Sequence, residues 1–199
     1  MSIAWPTLTR SAPAEMEWAL VANTQTFTSP LTNSVQTVEL PGARWRVDFT
    51  LRNLDEADTA VLQAFLAQLR GRAGRFTLHH FARPAPRGTA RGTPLVKGAS
   101  QTGTSLLIDG MTVGATLLPG DFFAVNGQLK MATATATANG SGEATVSFEP
   151  PLRASPADNA VVTLESPTAT FMLAGDEMSA ITRAGLRSEV RIEAMEAWS

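Results

Sequence analysis

The sequence predicts a mainly β protein with a minor helical component. It is read as a β domain with one helix, assembled from both ends of the chain, and a small closed β-barrel of OB type inserted between them. Three observations carry this reading. Threonine is plentiful and 15 Gly and 12 Pro punctuate the 199 residues, and β-branched residues suit a pleated surface that Gly and Pro bring to an end. Residues Arg44 to Leu51 alternate polar and apolar without a break, the period of a strand with one buried face. One segment alone, residues 55–70, changes to the period of a helix.

Taken in order, Met16, Trp18 and Leu20 alternate with Glu15, Glu17 and Ala19, a half-buried strand over Glu15 to Val21. A Pro-flanked connection through Ser29 to Asn33 leads to a second strand at Val35 to Leu40, closed by a turn at Pro41-Gly42. In the third strand Trp45, Val47, Phe49 and Leu51 point one way, and Arg44, Arg46, Asp48 and Thr50 the other. In the helix Val61, Leu62, Phe65, Leu66 and Leu69 form one stripe. Asp55 suits the N-cap, Glu56 and Asp58 the positive first turn, Arg70 the last turn and Gly71 the C′ position. Phe76, Leu78 and His80 then alternate on a further strand.

The run Arg83 to Gly92, RPAPRGTARG, has almost nothing to bury and reads as a linker or long loop. After it come five strand candidates, Ser105–Ile108, Phe122–Val125, Leu129–Thr137, Ala144–Phe148 and Val161–Leu164. Turn signals at Asp109-Gly110, Pro119-Gly120, Asn126-Gly127 and Asn139 to Gly142 separate them, a pattern that fits a small barrel. Thr170 to Leu173, a loop at Gly175-Asp176, and Val190, Ile192 and Ala194 alternating with Glu189, Arg191 and Glu193 complete the chain. The expected organisation is therefore residues 1–86 and 166–199 as one β domain, with residues 87–165 inserted as a small barrel.

Composition excludes several chemistries. There is no cysteine, hence no disulfide, thiolate nucleophile or Cys-based zinc site. The two histidines, His79 and His80, are adjacent on a strand and so point to opposite faces. The sequence contains no GxSxG elbow, HExxH, GxxxxGK[ST] or GxGxxG motif and no DxDxDG calcium run. Asp109, Asp121, Asp158 and Asp176 sit beside turns, where the side chain bonds nearby amides. No catalytic residue, metal ligand or cofactor is expected. The first residues lack a basic segment followed by an apolar run, so no secretory signal is expected and the chain is expected to begin near Met1. No apolar run reaches the roughly 18 to 20 residues of a spanning helix, so no membrane insertion is expected.

Net charge is −2, but the distribution is uneven: residues 1–100 carry +4 and residues 101–199 carry −6. Between Asp58 and Asp109 there is no acidic residue, while Arg70, Arg72, Arg75, Arg83, Arg87, Arg91 and Lys97 all fall there. Three readings are open: a solvated loop, a nucleic-acid surface with only Phe76 and Phe81 to stack on bases, and a basic patch that meets the acidic patch of a second copy. The candidate subunit-interface residues are Arg44, Arg46 and Asp48 on the polar face of the clearest strand, with Arg70, Arg72 and Arg75 after the helix.

The run SPLTNSVQTVELPGARWR from Ser29 to Arg46, the helix leading into LRGRAGRF from Leu69 to Phe76, LLPGDFF from Leu117 to Phe123 and EPPLR from Glu149 to Arg153 together resemble the distal tail proteins of long-tailed phages and phage-like gene transfer agents. The resemblance spans nearly the whole chain and rests on structural residues, not on an active-site signature. It implies a β-sandwich-like, ring-forming domain with one helix and an inserted OB-like barrel. It further implies a homo-hexameric ring that joins the tail-tube protein to the baseplate hub or tail-tip protein and leaves a channel through which DNA passes. It places the protein in the virion, made in the host bacterial cytoplasm, with no enzymatic activity. Two rival readings are a carbohydrate- or receptor-binding module, which needs an exposed aromatic among Trp5, Trp18, Trp45 and Trp198, and a hydrolase of the host envelope, which needs a polar pocket. Phe122, Phe123 and Phe148 are expected in the core.

Overall fold

The computed structural model describes residues 2–177, 179–183, 185 and 187–198. In chain order the elements are β1 (Ser2–Ala4), β2 (Glu15–Val21), β3 (Thr24–Thr28), β4 (Val35–Glu39), β5 (Arg44–Leu54), α1 (Glu56–Leu69) and β6 (Arg75–His79). They continue as β7 (Leu95–Val96), β8 (Ser105–Asp109), β9 (Thr116–Leu117), β10 (Phe122–Val125), β11 (Gln128–Ala132), β12 (Ala136–Thr137) and β13 (Ala144–Glu149). The chain closes with β14 (Val162–Thr163), β15 (Thr168–Leu173), β16 (Ala180–Arg183) and β17 (Arg187–Glu196). The protein is mainly β, with one α-helix among the described residues.

The larger sheet has the order β1-β6-β15-β17-β5-β2, with β16 paired to β17. All its neighbours are antiparallel except β1 against β6, which is parallel. Its strands come from both ends of the sequence because β5 and β17 carry matching alternation: Val47 pairs with Ala194, Phe49 with Ile192 and Leu51 with Val190. These side chains share one face, and period-2 geometry sends Arg46, Asp48, Arg191 and Glu193 to the other. The inner face is covered by α1 through Leu62, Phe65, Leu66 and Leu69, by Leu8, and by Phe122 and Leu129. Trp5 links the layers, with its ring 5.4 Å from Phe49 and 5.3 Å from Phe65. Edge-to-face pairs of this kind add about 0.5–1.5 kcal/mol beyond burial.

The helix begins at the expected cap, where the Asp55 side chain accepts from the Asp58 amide at 2.9 Å. Two details differ from expectation. Val61 lies on the outer side and is exposed, so the buried stripe starts at Leu62. The left-handed turn falls first on Arg70, with φ 52°, and continues through Gly71, with φ 65°. At Gly71 a side chain would stand 2.6 Å from the Asp176 carboxylate, so only glycine lets the two segments approach.

The second sheet has the order β14-β10-β11-β13-β8-β7. A bridge between Leu95 and Val161, with bonds from Val96 N to Ala160 O and from Val162 N to Pro94 O, joins its first and last strands and nearly closes a barrel. Six strands make this barrel, where the sequence pattern suggests five. Its core contains Val96, Leu106, Ile108, Phe123, Val125, Val146 and Phe148. Phe123 and Phe148 occupy the expected core, whereas Phe122 points into the core of the larger sheet, because successive residues of a strand face opposite sides.

The stretch read as one strand from Leu129 to Thr137 is two. β11 stays in the barrel sheet, and β12 pairs with β9 in a small separate ladder. Ala/Thr alternation marks β propensity but cannot mark the bend that redirects the chain between them. The segment 83–92 is a loop, but a tethered one. Ala90 is fully buried, the Arg87 and Gly88 amides donate to the Asp121 carboxylate at 2.8 and 3.1 Å, and a side chain at Gly88 would stand 2.1 Å from the Thr116 carbonyl. Strand β6 ends at His79, and His80 is buried just beyond it. Strands β1, β3 and β16 carry no pattern that the sequence reading singled out, being short or uniformly exposed.

Candidate assembly interface

The polar face of the larger sheet is an ion-pair lattice. Arg46 pairs with Glu17, Arg52 with Glu15 and Glu189, Arg183 with Glu189, and Arg191 with both Asp48 and Glu193. The Arg191 guanidinium grips both oxygens of Asp48, with Nε at 3.0 Å. Hydrogen bonds from Arg191 hold the Asp48 carboxyl below the usual carboxylate range, and the same contacts raise Arg191 further above neutrality. Register explains the pattern: Glu17, Asp48 and Glu193 lie on one row across β2, β5 and β17, so basic side chains from neighbouring rows lean across to them. Arg46 and Asp48 are thus engaged within the chain. Arg44, at the end of β5, makes no ion pair among the described residues.

Arg70, Arg72 and Arg75 lie elsewhere, around the turn that follows α1. Arg75 Nη1 donates to the carbonyls of Arg72 and Gly74 at 2.8 and 2.9 Å, and the Arg72 amide donates to Asp176 at 3.0 Å. The side chains of Arg70 and Arg72 are exposed. The six candidate residues therefore form two separate groups, one on the polar sheet face and one at the helix end.

Between sheet and barrel lies a buried polar seam without a local sequence signal. Glu196 is 1% exposed; its carboxylate accepts from the Trp45 amide at 3.1 Å and pairs with Arg153. The Trp45 indole donates to Leu129 O at 3.0 Å. Lys130 is wholly buried, donates to Pro151 O at 2.8 Å, and is pushed down to about 7 by burial and by the nearby Arg153 charge. His80 stacks on Phe122 with ring centroids 5.0 Å apart and contacts Trp18 at 4.9 Å. Burial, helped by the Arg83 charge, lowers it to about 4.

The β3–β4 hairpin pairs only with itself, and every residue of both strands is exposed. Phe27 is 64% exposed, and Leu31, Val35 and Val38 are also open to solvent. No residue between Glu17 and Glu39 is charged. That uncharged run, with the alternation of TQTFT, was the signal available for β3.

Trp5, Trp18 and Trp45 pack in or against the core, leaving Trp198 as the exposed tryptophan. It borders a groove of about 710 Å³ with Leu40, Pro41 and Leu152, and the Arg153 guanidinium covers one face of its ring at 4.0 Å. Asp121 serves its own turn through Leu118 N and also tethers the loop at Arg87 and Gly88, and Asp158 accepts from Gly98 N. Among the described residues no group of three or more His, Asp or Glu is placed to hold a metal ion. No helix among them is long and apolar enough to cross a membrane. Compared with known protein families and with curated proteins, the sequence matches none.

Proposed function

We propose that this chain is a structural subunit of a ring at the distal end of a phage-type tail. It joins the tail tube to the baseplate hub or tip and leaves a channel through which DNA passes. The carrying observation is the β3–β4 hairpin. Two-stranded hairpins are at best marginally stable in water, and exposed strands ordinarily carry charge that blocks edge pairing. Here an exposed hairpin whose one charge is the terminal Glu39, with Phe27, Leu31, Val35 and Val38 on its surface, supports a partner that covers it. The paired lattice on the polar sheet face suits a subunit whose charges are already satisfied before it packs. The reading assigns no catalytic residue and no cofactor; the partners are copies of the chain, the tail-tube protein and the hub, and the location is the virion.

Light scattering of the purified chain, followed by negative-stain imaging, tests it. The expected result is a particle of about six times the 21.1 kDa chain mass, seen as a ring with a central hole. A monomer at every concentration is the opposing result. A binding module of a phage tail is the second reading, favoured by the exposed Trp198 beside its groove, and soluble glycans that quench Trp198 fluorescence would shift weight to it.

A further inference from the structure

One corner of the polar sheet face is out of charge balance. β16 and β17 form a hairpin in which Arg183 pairs directly with Arg187, and period-2 geometry puts Glu189 on the same face as Arg187. Side chains directly opposite on paired strands stand about 4.5–5.5 Å apart at Cβ, where like charges repel. Arg183 reaches Glu189 Oε2 at 3.1 Å, and Arg52, arriving from β5, takes Glu189 Oε1 at 3.3 Å. One carboxylate therefore holds two guanidiniums. Arg187 is exposed and makes no ion pair among the described residues.

The three arginines line a recess of about 320 Å³ with Asn53, Ser188 and Glu189, and no apolar side chain takes part. The lining carries three positive charges against one negative, 3 − 1 = +2. Glu15 lies outside it and pairs only with Arg52, at 3.3 Å, so nothing offsets Arg187. Four other grooves among the described residues have linings that are neutral or negative at neutral pH.

We infer that this recess binds a phosphate group in its dianionic form, as the free ion or as the terminal phosphate of a larger molecule. A guanidinium presents its N–H donors in a planar fork that matches phosphate oxygens, and three of them around one recess suit a group with three acceptor oxygens. Charge selects the dianion: two negative charges balance the lining, whereas one further carboxylate leaves it positive. Bound phosphate also offsets the repulsion between Arg183 and Arg187. The site goes beyond the ring reading and does not depend on it.

Amide proton–nitrogen spectra of the whole chain, titrated with inorganic phosphate against sodium chloride at matched ionic strength and above the second phosphate pKa, test it. The expected result is saturable shifts at the Asn53 and Ser188 amides. Arg187→Gln should bind phosphate roughly tenfold more weakly, as the loss of a hydrogen bond between charged groups implies. Arg72→Gln, which removes an exposed arginine elsewhere, should bind as the wild type does. The phosphate-free thermal midpoint of Arg187→Gln should be no lower than that of the wild type, because the repulsion is relieved, so lost binding is distinguished from a lost fold. Two single-stranded oligonucleotides that differ only in a 5′-phosphate identify the source: tighter binding of the phosphorylated one assigns the site to nucleic-acid ends, and equal binding assigns it to the free ion. Shifts that never saturate, or that persist undiminished in Arg187→Gln, would overturn the site. Acetate acting at the same concentration as phosphate would overturn it too, and would make the recess a contact for a protein carboxylate.

Discussion

The indole Nε1 of Trp45 donates to the backbone carbonyl of Leu129 across 3.0 Å, tying the longest strand of the large sheet to a barrel strand 84 positions later. The same tryptophan's amide donates to Glu196, whose other oxygen takes Arg153. Sheet and barrel thus meet through a hydrogen-bonded seam, with Phe122 inserted into the sheet's core. A buried polar network rigidifies a junction where its members are satisfied, as Trp45 and Glu196 are here while Arg153 Nε has no partner among the described residues, so the barrel's orientation depends on a few named groups.

Glu196 is the most consequential of them. Glu196→Ala leaves Arg153 unpaired and the Trp45 amide without its acceptor, and breaking a buried pair from one side costs about 3 kcal/mol or more. The expected outcome is a urea midpoint well below that of the wild type. Adding Arg153→Met should recover much of the loss, because the stranded charge is then gone.

His80 makes stability fall on acidification. Its folded value is about 4, against 6.5 for the free side chain, so between these values the unfolded chain binds a proton that the folded chain refuses. Stability is therefore full above pH 6.5, declines toward pH 4 by up to about 3 kcal/mol, and levels off below. His80→Gln should flatten most of that slope in thermal melts taken from pH 7 to pH 4, with a residue of the same sign from His79.

Lys130 gives a slope at the alkaline end. Held near 7 in the fold and near 10.5 when unfolded, it leaves the unfolded state with more bound proton between those values, so stability rises with pH across that window. Lys130→Met should raise the melting temperature at pH 7 and remove the rise up to pH 10.5. A variant less stable than wild type at pH 7 would show that the bond to Pro151 O and the attraction of Glu149 and Glu196 outweigh the burial of the charge.

Asp121 controls the loop at 83–92. Its carboxylate is 1% exposed and accepts from Leu118, Arg87 and Gly88, and hydrogen bonds to a charged group are worth about 1.5–3 kcal/mol each. Asp121→Ala should lower stability by about 3 kcal/mol and speed hydrogen exchange at the Arg87 and Gly88 amides more than at Val146 in the barrel core.

Reversing charge at the end of β5, with Arg44→Glu and Arg46→Glu, should change fold stability by less than about 1 kcal/mol, since the Arg46–Glu17 pair is exposed. On the assembly reading the mass of the particle should fall. An unchanged oligomer would remove this strand from the interface and leave the hairpin as the contact.

Much of the fold was legible in the sequence where each residue's fate depends on its neighbours in the chain. The alternation of β5 and β17, the Asp55 cap and the stripe from Leu62 to Leu69 follow from periods of 2 and 3.6 and from unsatisfied amides at a helix start. Of the candidate assembly surfaces, the polar row on β5 was readable for the same reason. The hairpin was only half readable, since Thr24 to Thr28 bury nothing and alternation marks a strand by what it buries.

What the sequence by itself determined, then, was the β class, the single helix, the two-faced strands and the lack of familiar catalytic motifs. Tertiary structure alone decided that Arg191 would be spent on Asp48, that Glu196 would meet Arg153 and Trp45, and that Phe122 would serve a different core from Phe123. Those outcomes rest on contacts between residues tens to more than a hundred positions apart. Local propensity is blind to such partners, and burial, which raises the cost of any unpaired polar group, determines which pairings persist.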